Sequence, residues 1–422
     1  MKKTINLTVR KEMSKALARR YQRGRKKEKT EILDVFVEMT GYHRVYARWL
    51  LRNWGRKVEV KGKDGRRVIF VGEVRKRKKR KRKREYGEEE KKVIVRVWKI
   101  LDFPCGKRLK AALPEMIRVL ERKGEIKVNP EVKERLNRIS SATLDRILKR
   151  ERARWDIKKL KKGTTKPGSL LKSQIPIRTF AEWDEKKPGF VEVDLVSHDG
   201  GNTRGDYIHT LDVTDVATGW TETQAVRNKA QVWVFEALKD IFQRMPFPIL
   251  GIDSDNGSEF INAHLLRFCE ENKITFTRTR PYRKNDNCYV EQKNWSVVRK
   301  TVGYYRYDTE WELKLLNELY SILRLYTNFF QPSMKLIEKV RVGSKVKKKY
   351  DTPKTPYQRV LESPFVPEDT KEMLKKEYEK LNPVKLKRAL VRMQNKLLEM
   401  VRWKIREREG IGNERNLEKI FR

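Results

Sequence analysis

Three short runs rich in β-branched and aromatic residues, GFVEVDLVSH, RGDYIHTLDVTD and GWTETQAV, follow one another between Gly189 and Val226. Between them lie Asp199-Gly200-Gly201-Asn202 and Ala217-Thr218-Gly219, residue types that favour tight turns. This pattern predicts three consecutive strands in a meander. The period then changes. Helices are expected over 230–244 and 258–272, strands over 249–254 and 274–279, and two closing helices over 288–302 and 309–330. The order βββ-α-β-α-β-α-α constrains the chain strongly. Strands joined by tight turns pair antiparallel, whereas strands separated by helices pair parallel, so the sheet must be mixed.

Three acidic residues stand at informative places in this pattern. Asp194 lies within the first strand, in VEVDLV; Asp255 lies just past the fourth, in GIDSDNGSEF; Glu291 lies in the first turns of a helix, in NDNCYVEQKNW. Taken singly, each has an ordinary reading: a strand-end charge, a turn, a solvated helix residue. Together they say more. A carboxylate inside a strand of Val and Leu is costly unless paired or metal-bound. The Asp255-Asn256-Gly257 turn leads into a helix and so sits at the carboxyl end of the sheet, where open α/β sheets bind ligands. An oxygen-only set suits Mg²⁺ or Mn²⁺. Other groups compete for the role. Glu192 shares the strand face of Asp194, Asp253 shares that of Asp255, and Asp199 and Asp212 lie in or near the meander. His198 reads as a structural hairpin histidine.

The contexts EVDLV, SDNGSEF and RPYRKNDNCYVEQKNWSVVR, with 60 and then 35 residues between the three acids, resemble the D,D(35)E arrangement of retroviral integrases and the related insertion-sequence transposases. The resemblance covers about 185–345, and the following NFFQPSMKLIEKVRVGSKVKKKYDTPKTPYQRVL is similar to the tail of such transposases. It implies a ribonuclease-H-like fold and a two-metal reaction on DNA. Asp194, Asp255 and Glu291 would be both catalytic and metal-binding, with Asp194 bridging two Mg²⁺ or Mn²⁺ ions. The family pattern is what selects Asp255 over Asp253. Asn287, Asn294 and Trp295 share a helix face with Glu291. Arg278, Arg280, Tyr282, Arg283, Lys284, Asn285 and Asn294 are the expected contacts to the DNA end. The chain departs from retroviral integrases in lacking their N-terminal His₂Cys₂ zinc set.

Helical units take that place. Over 1–60, Ile32, Leu33, Phe36 and Met39 recur at helical spacing behind Thr30 as N-cap; Gly41 breaks the pattern, and a second helix follows with Val45, Trp49 and Leu50 inward. His43, Arg44, Arg48 and Arg52 face outward, a helix-turn-helix pattern that points to DNA through Arg44 and Arg48. Residues 61–85 read as a basic linker, with short β-like runs around Lys63-Asp64-Gly65 and then ten consecutive cations over 75–84. A second helical DNA-binding unit is expected over 86–157, with helices at 88–101, 109–122, 130–139 and 141–155. In the last of these Leu144, Ile147 and Leu148 face inward, and Arg146, Lys149, Arg150 and Arg152 outward, Arg146 and Lys149 being the expected DNA contacts. A linker at 158–184 leads to the catalytic domain at 185–345. The C-terminal region, 346–422, is expected to be mostly helical, with 345–349 a basic loop and two helices over 367–408 carrying Leu386, Leu390, Met393, Leu397 and Val401 inward.

Composition agrees with a polyanionic partner. Lys and Arg total 101 of 422 residues against 57 Asp and Glu, a formal charge of +44, where solubility alone needs about 2–8 for a small domain. Three cysteines make no disulfide framework, and no apolar run is of membrane-spanning length. The N-terminus lacks the apolar stretch of a secretory signal. The expected protein is cytoplasmic and nucleoid-associated. It binds double-stranded DNA, both element ends and target, touches no membrane, and forms a homo-oligomer on DNA. The leading function is a DNA transposase. The alternatives are a catalytically silent or domesticated DNA-binding regulator and a hydrolysis-only nuclease of the same fold.

Overall fold

The computed structural model describes residues 6–62, 65–72, 85–154, 186–254, 257, 259–260, 263–278, 288–342 and 345–408. The chain forms two compact units, Met1–Arg84 and Glu85–Arg422. The cation run 75–84 and the expected linker 158–184 lie outside the described residues.

The first unit packs three helices, α1 (Leu7–Arg23), α2 (Lys26–Thr40) and α3 (Arg44–Asn53), with a hairpin of β1 (Lys57–Gly62) and β2 (Gly65–Phe70). Ala18, Tyr21, Ile32, Leu33, Phe36, Ala47, Leu50 and Leu51 form its core, and Val71 after the hairpin is buried in it. Gln22 Nε2 on α1 donates to the carbonyls of Leu51 and Trp54 at 3.1 and 3.0 Å, fastening α1 to the end of α3. Gly41 ends α2 at φ +67°, a left-handed conformation that other residues adopt only with strain.

Several sequence expectations shift here. Helix α2 starts at Lys26, so Thr30 lies inside it, donating to the Lys26 carbonyl rather than capping. Met39 and Val45 are 48 and 66% exposed; the inward stripe of α3 is Ala47, Leu50 and Leu51, because the helix starts at Arg44 and rotates Val45 outward. The expected linker from residue 61 includes β2, which pairs along its length with β1.

The second unit begins with α4 (Glu88–Ile100), α5 (Gly106–Arg122), α6 (Pro130–Arg138) and α7 (Ser141–Arg154). Glu90 caps α4 by accepting from Gly87 N at 2.7 Å and pairs with Arg135 of α6 at 2.9 Å. Ser140 Oγ accepts from Thr143 N at the start of α7. A five-stranded sheet follows, made of β3 (Phe190–Ser197), β4 (His209–Asp215), β5 (Thr221–Val226), β6 (Gly251–Ser254) and β7 (Thr275–Arg278) in the order β5-β4-β3-β6-β7. The meander β3-β4-β5 is antiparallel, and β3-β6-β7 is parallel. Helices α8 (Gln231–Arg244) and α9 (Ala263–Glu271) make the crossovers. Glu259 and Phe260 form a turn, so α9 starts later than the expected 258.

The helix expected at 288–302 is continuous but not uniform. It runs as α10 (Cys288–Lys293), a π-helical segment (Asn294–Arg299) and a last turn, α11 (Lys300–Val302). Thr309 and Glu312 form a capping box that starts α12 (Glu310–Phe330).

Residues 345–349, expected as a loop, belong instead to an antiparallel hairpin of β8 (Leu336–Val342) and β9 (Lys345–Tyr350). Backbone pairing with β8 outweighs the repulsion among the exposed Lys347, Lys348 and Lys349. Helices α13 (Pro356–Glu362), α14 (Glu368–Lys380) and α15 (Pro383–Arg408) complete the unit. The stripe expected on α15 is buried: Leu390, Leu397 and Val401 pack with Leu316, Leu319, Tyr320 and Leu323 of α12, and Leu386 and Met393 flank them.

Strand alternation divides the core. On β3, Val191, Val193 and Leu195 join Val234, Leu238 and Ile241 of α8 in one apolar cluster, whereas Val196 joins Val297, Val298 and α12 in another. Glu192 and Asp194 share the face of Val196. Both carboxylates are thereby directed toward the helix that carries Glu291.

Candidate active site

The 288–302 helix runs along β3 and is tied to it at successive points. Glu192 Oε2 accepts from Val290 N at 2.7 Å, Asn294 Nδ2 donates to Asp194 Oδ2 at 2.5 Å, and Arg299 Nη2 donates to the Ser197 carbonyl at 2.6 Å. The first two steps match in length. Two strand residues rise about 6.7 Å and four helical residues about 6 Å, so contacts at 192 and 194 fall opposite 290 and 294. Glu291 is thereby placed on the helix next to Val290, and it is exposed. Asp194 is half-buried, and its Oδ1 also accepts from Leu195 N at 2.8 Å.

Around this pair the sheet carries further buried charge. Asp212 stands directly opposite Asp194 in the β3–β4 register, and Asp253 stands opposite Glu192 in the β3–β6 register. Burial holds the Glu192 carboxyl well above its ordinary range, and the neighbouring Asp253 and Glu291 push the same way. Burial also raises Asp212, against the pull of Lys293. Lys293 is buried, and burial lowers its ammonium although Asp212 favours the charged form; its Nζ donates to the Gly219 carbonyl at 3.0 Å. Asp253 accepts from Thr277 Oγ1 within the sheet. His198 is fully buried, bonds Thr210 Oγ1 through Nε2 at 2.7 Å and rests against Tyr307, a structural role.

The expected contacts scatter. Asp255 lies outside the described residues, as do Arg280, Tyr282, Arg283, Lys284, Asn285 and Asn287. The last described residue of β6, Ser254, is paired with Val193, the neighbour of Asp194. Asn294, expected on DNA, holds Asp194. Trp295 beside it is 62% exposed. Arg278 is buried at the end of β7. Arg44 pairs with Asp34, Arg48 and Lys149 are exposed, and Arg146 folds back onto Ala142 O and Thr143 Oγ1. Arg152, expected outward, pairs with Asp145 at 2.7 Å.

Sequence reading missed Lys293, although a signal was present. Val290, Lys293 and Val297 recur at i, i+3 and i+7, one helix face, and all three are buried. A lysine in an apolar stripe needs a buried partner.

Among the described residues no three His, Cys, Asp or Glu side chains converge closely enough to hold a metal ion. The donor chemistry nevertheless fits a hard divalent cation. Asp194 and Glu291 offer oxygen only, and Glu192 Oε1, Asp212 Oδ2 and Asn294 Oδ1 are buried acceptors without a hydrogen-bond partner among the described residues.

Residues 184–284 match the integrase core domain family. Protein y4rM of Sinorhizobium fredii, described as uncharacterized, is 36% identical over 363 residues, 85% of this chain and 97% of that one. Among solved structures the chain is similar to the catalytic core domain of BIV integrase, 19% identical with a TM-score of 0.29, covering 44% of this chain and 98% of that one. It is also similar to the HTLV-2 integrase catalytic core in complex with magnesium, 14% identical with a TM-score of 0.27, covering 35% and 91%. A mixed sheet with helical flanks, an integrase core match across that sheet and a relative aligned over nearly its whole length place the chain in the integrase/transposase-like family.

Proposed function

We propose that this chain is a DNA transposase that binds the ends of a mobile element and catalyses strand cleavage and strand transfer. The observation that carries the reading is the Asn294–Asp194 hydrogen bond, which joins the strand bearing one candidate carboxylate to the helix bearing another, Glu291. An integrase core implies a polynucleotidyl-transferase-like enzyme, and the net charge of +44 suits a DNA substrate. Asp194, Asp255 and Glu291 would hold two Mg²⁺ or Mn²⁺ ions, which when bound supply activation of a water or 3′-hydroxyl nucleophile and stabilise the leaving oxygen. The chain's own groups set the frame: Asn294 orients Asp194, Glu192 fixes the start of α10, and Lys293 opposes the effect of burial on Asp212. Arg48 and Lys149 remain candidate DNA contacts on the two helical units, as does the 280–285 loop. Arg44 could serve only by leaving Asp34.

The test is cleavage and joining of labelled element ends by Asp194→Asn, Asp255→Asn and Glu291→Gln variants with Mg²⁺. Activity should fall by orders of magnitude while DNA affinity persists. Full activity in Asp255→Asn with loss in Asp253→Asn would show that the wrong acid was chosen. Cleavage without joining would favour a nuclease.

A further inference from the structure

Away from the candidate site, an open cleft of about 420 Å³ lies between the start of α5 and the β8–β9 hairpin. Lys107 and Lys110 line one side and Lys348 and Lys349 the other, with Ser141, Met334, Tyr350, Asp351 and Pro353 between them. All four lysines are exposed, and among the described residues none forms an ion pair, although Glu338 stands opposite Lys349 in the β8–β9 register. The one acid in the lining is already engaged: Asp351 pairs with Arg359 at 2.7 Å and accepts from Lys335 N at 2.7 Å. Elsewhere in the unit lysines commonly meet carboxylates, as Lys133, Lys300, Lys387 and Lys404 do. Two helix beginnings also border the cleft, at Lys107 of α5 and Ser141 of α7; the first is already met by Asp145, whose Oδ1 accepts from Gly106 N at 2.9 Å, so the start of α7 is the one that adds the positive end of a helix dipole.

Lysines from two elements thus border one gap, and like charges gathered in this way repel one another, a repulsion that an anion with several charges relieves. From this we infer that the cleft seats the sugar-phosphate backbone of duplex DNA. The inference rests on the reading of the chain as a DNA-binding enzyme. The chemistry also defines what the cleft does not do. Lysine is a point charge without the planar fork of arginine, and among the described residues no arginine lines the cleft, so its chemistry suits backbone phosphates over base edges. Tyr350, 43% exposed at the same wall, offers a hydroxyl donor to a phosphate oxygen.

The experiment compares two full-length variants with the same loss of charge. One carries Lys107→Gln, Lys110→Gln, Lys348→Gln and Lys349→Gln. The other carries Lys239→Gln, Lys273→Gln, Lys314→Gln and Lys376→Gln, all exposed positions of the same unit. Affinity for two unrelated duplexes is measured across a salt series without divalent metal. If all four cleft lysines touch phosphates, the slope of log K against log salt falls by about 3.6, at about 0.9 for each contact. The control variant should keep the wild-type slope, and the loss should be equal on both duplexes. Duplex should also shield the four cleft lysines, and not the control four, from amine acylation. Equal slopes in the two variants, a loss confined to one duplex, or a wild type without a salt slope each overturn the inference. A cleft variant that shows the expected slope change, beside a wild type that never cuts DNA with Mg²⁺, would sink the transposase reading and leave the cleft standing.

Discussion

Replacing Asn294 with Leu removes the donor to Asp194 while keeping nearly the same side-chain volume. The bond is 2.5 Å long, half-buried and made to a carboxylate. Hydrogen bonds to charged groups contribute about 1.5–3 kcal/mol. If the bond serves to aim Asp194, its loss slows the chemical step by roughly 10- to 150-fold, since each 1.4 kcal/mol is a factor of ten. The helix itself should stay in place, because Glu192 still accepts from Val290 N and Arg299 still donates to Ser197 O. The assay is single-turnover cleavage of a labelled duplex at saturating protein, repeated over a Mg²⁺ titration. DNA affinity should be unchanged and the rate reduced at saturating Mg²⁺. An Asn294→Leu variant as fast as wild type at every Mg²⁺ concentration would refute the positioning argument. Equal loss of affinity and rate would mean that Asn294 touches DNA instead.

Further outcomes follow from other contacts. Glu192 is buried with its carboxyl raised, so Glu192→Gln should be nearly neutral, whereas Glu192→Leu orphans Val290 N and should cost about 1–3 kcal/mol in denaturant unfolding. Burial presses His209 down to about 4, whereas an unfolded histidine titrates near 6.5. Its contribution is therefore complete above 6.5 and is lost as pH falls toward 4, by at most about 1.4 kcal/mol per pH unit; His209→Gln should flatten the acid limb of a pH series of unfolding curves by one proton. Leu397 is 1% exposed against α12, and Leu397→Ala should cost about 2–5 kcal/mol, read as a lowered midpoint of urea unfolding followed by near-ultraviolet circular dichroism.

Much of the sheet could be read from the chain because its signals are local. Alternation in VEVDLV, the Asp199-Gly200-Gly201 turn and the crossover helices each leave a pattern within about a dozen residues, and the observed strands fall inside the expected runs. Boundaries moved where a tertiary contact decided them: α3 turned Val45 to solvent because Ala47, Leu50 and Leu51 fill the core, and 345–349 became a strand only through pairing with 336–342. For the site, Asp194 and Glu291 were legible as acids in unusual company. Their supports were not. The pairing of Asn294 with Asp194 spans 100 residues, and that of Glu192 with Val290 spans 98. Periodicity alone contains no term for such distances, so Asn294 read as a surface contact and Glu192 as a competitor for metal.

Helices α4–α7 are bolted to the sheet-bearing body. Tyr326 Oη donates to Ile100 O at 2.5 Å, Gln331 Nε2 donates to Leu101 O at 3.0 Å, and Asp102 takes both Lys300 at 2.5 Å and Lys387 at 2.9 Å. These partners come from three separate stretches of the chain, and each meets a backbone carbonyl or a single carboxylate at one corner, residues 100–102. A recombination event that exchanged the 86–154 helices between two such elements would inherit that corner from one parent and its clamps from the other. The hybrid would keep its carbonyl contacts, which any residue provides and which include that of Lys300 Nζ to the carbonyl of residue 102 at 2.9 Å, but would strand Lys387 unless an acid stood at 102. Inheritance in this lineage should therefore keep the residue at 102 together with that at 387.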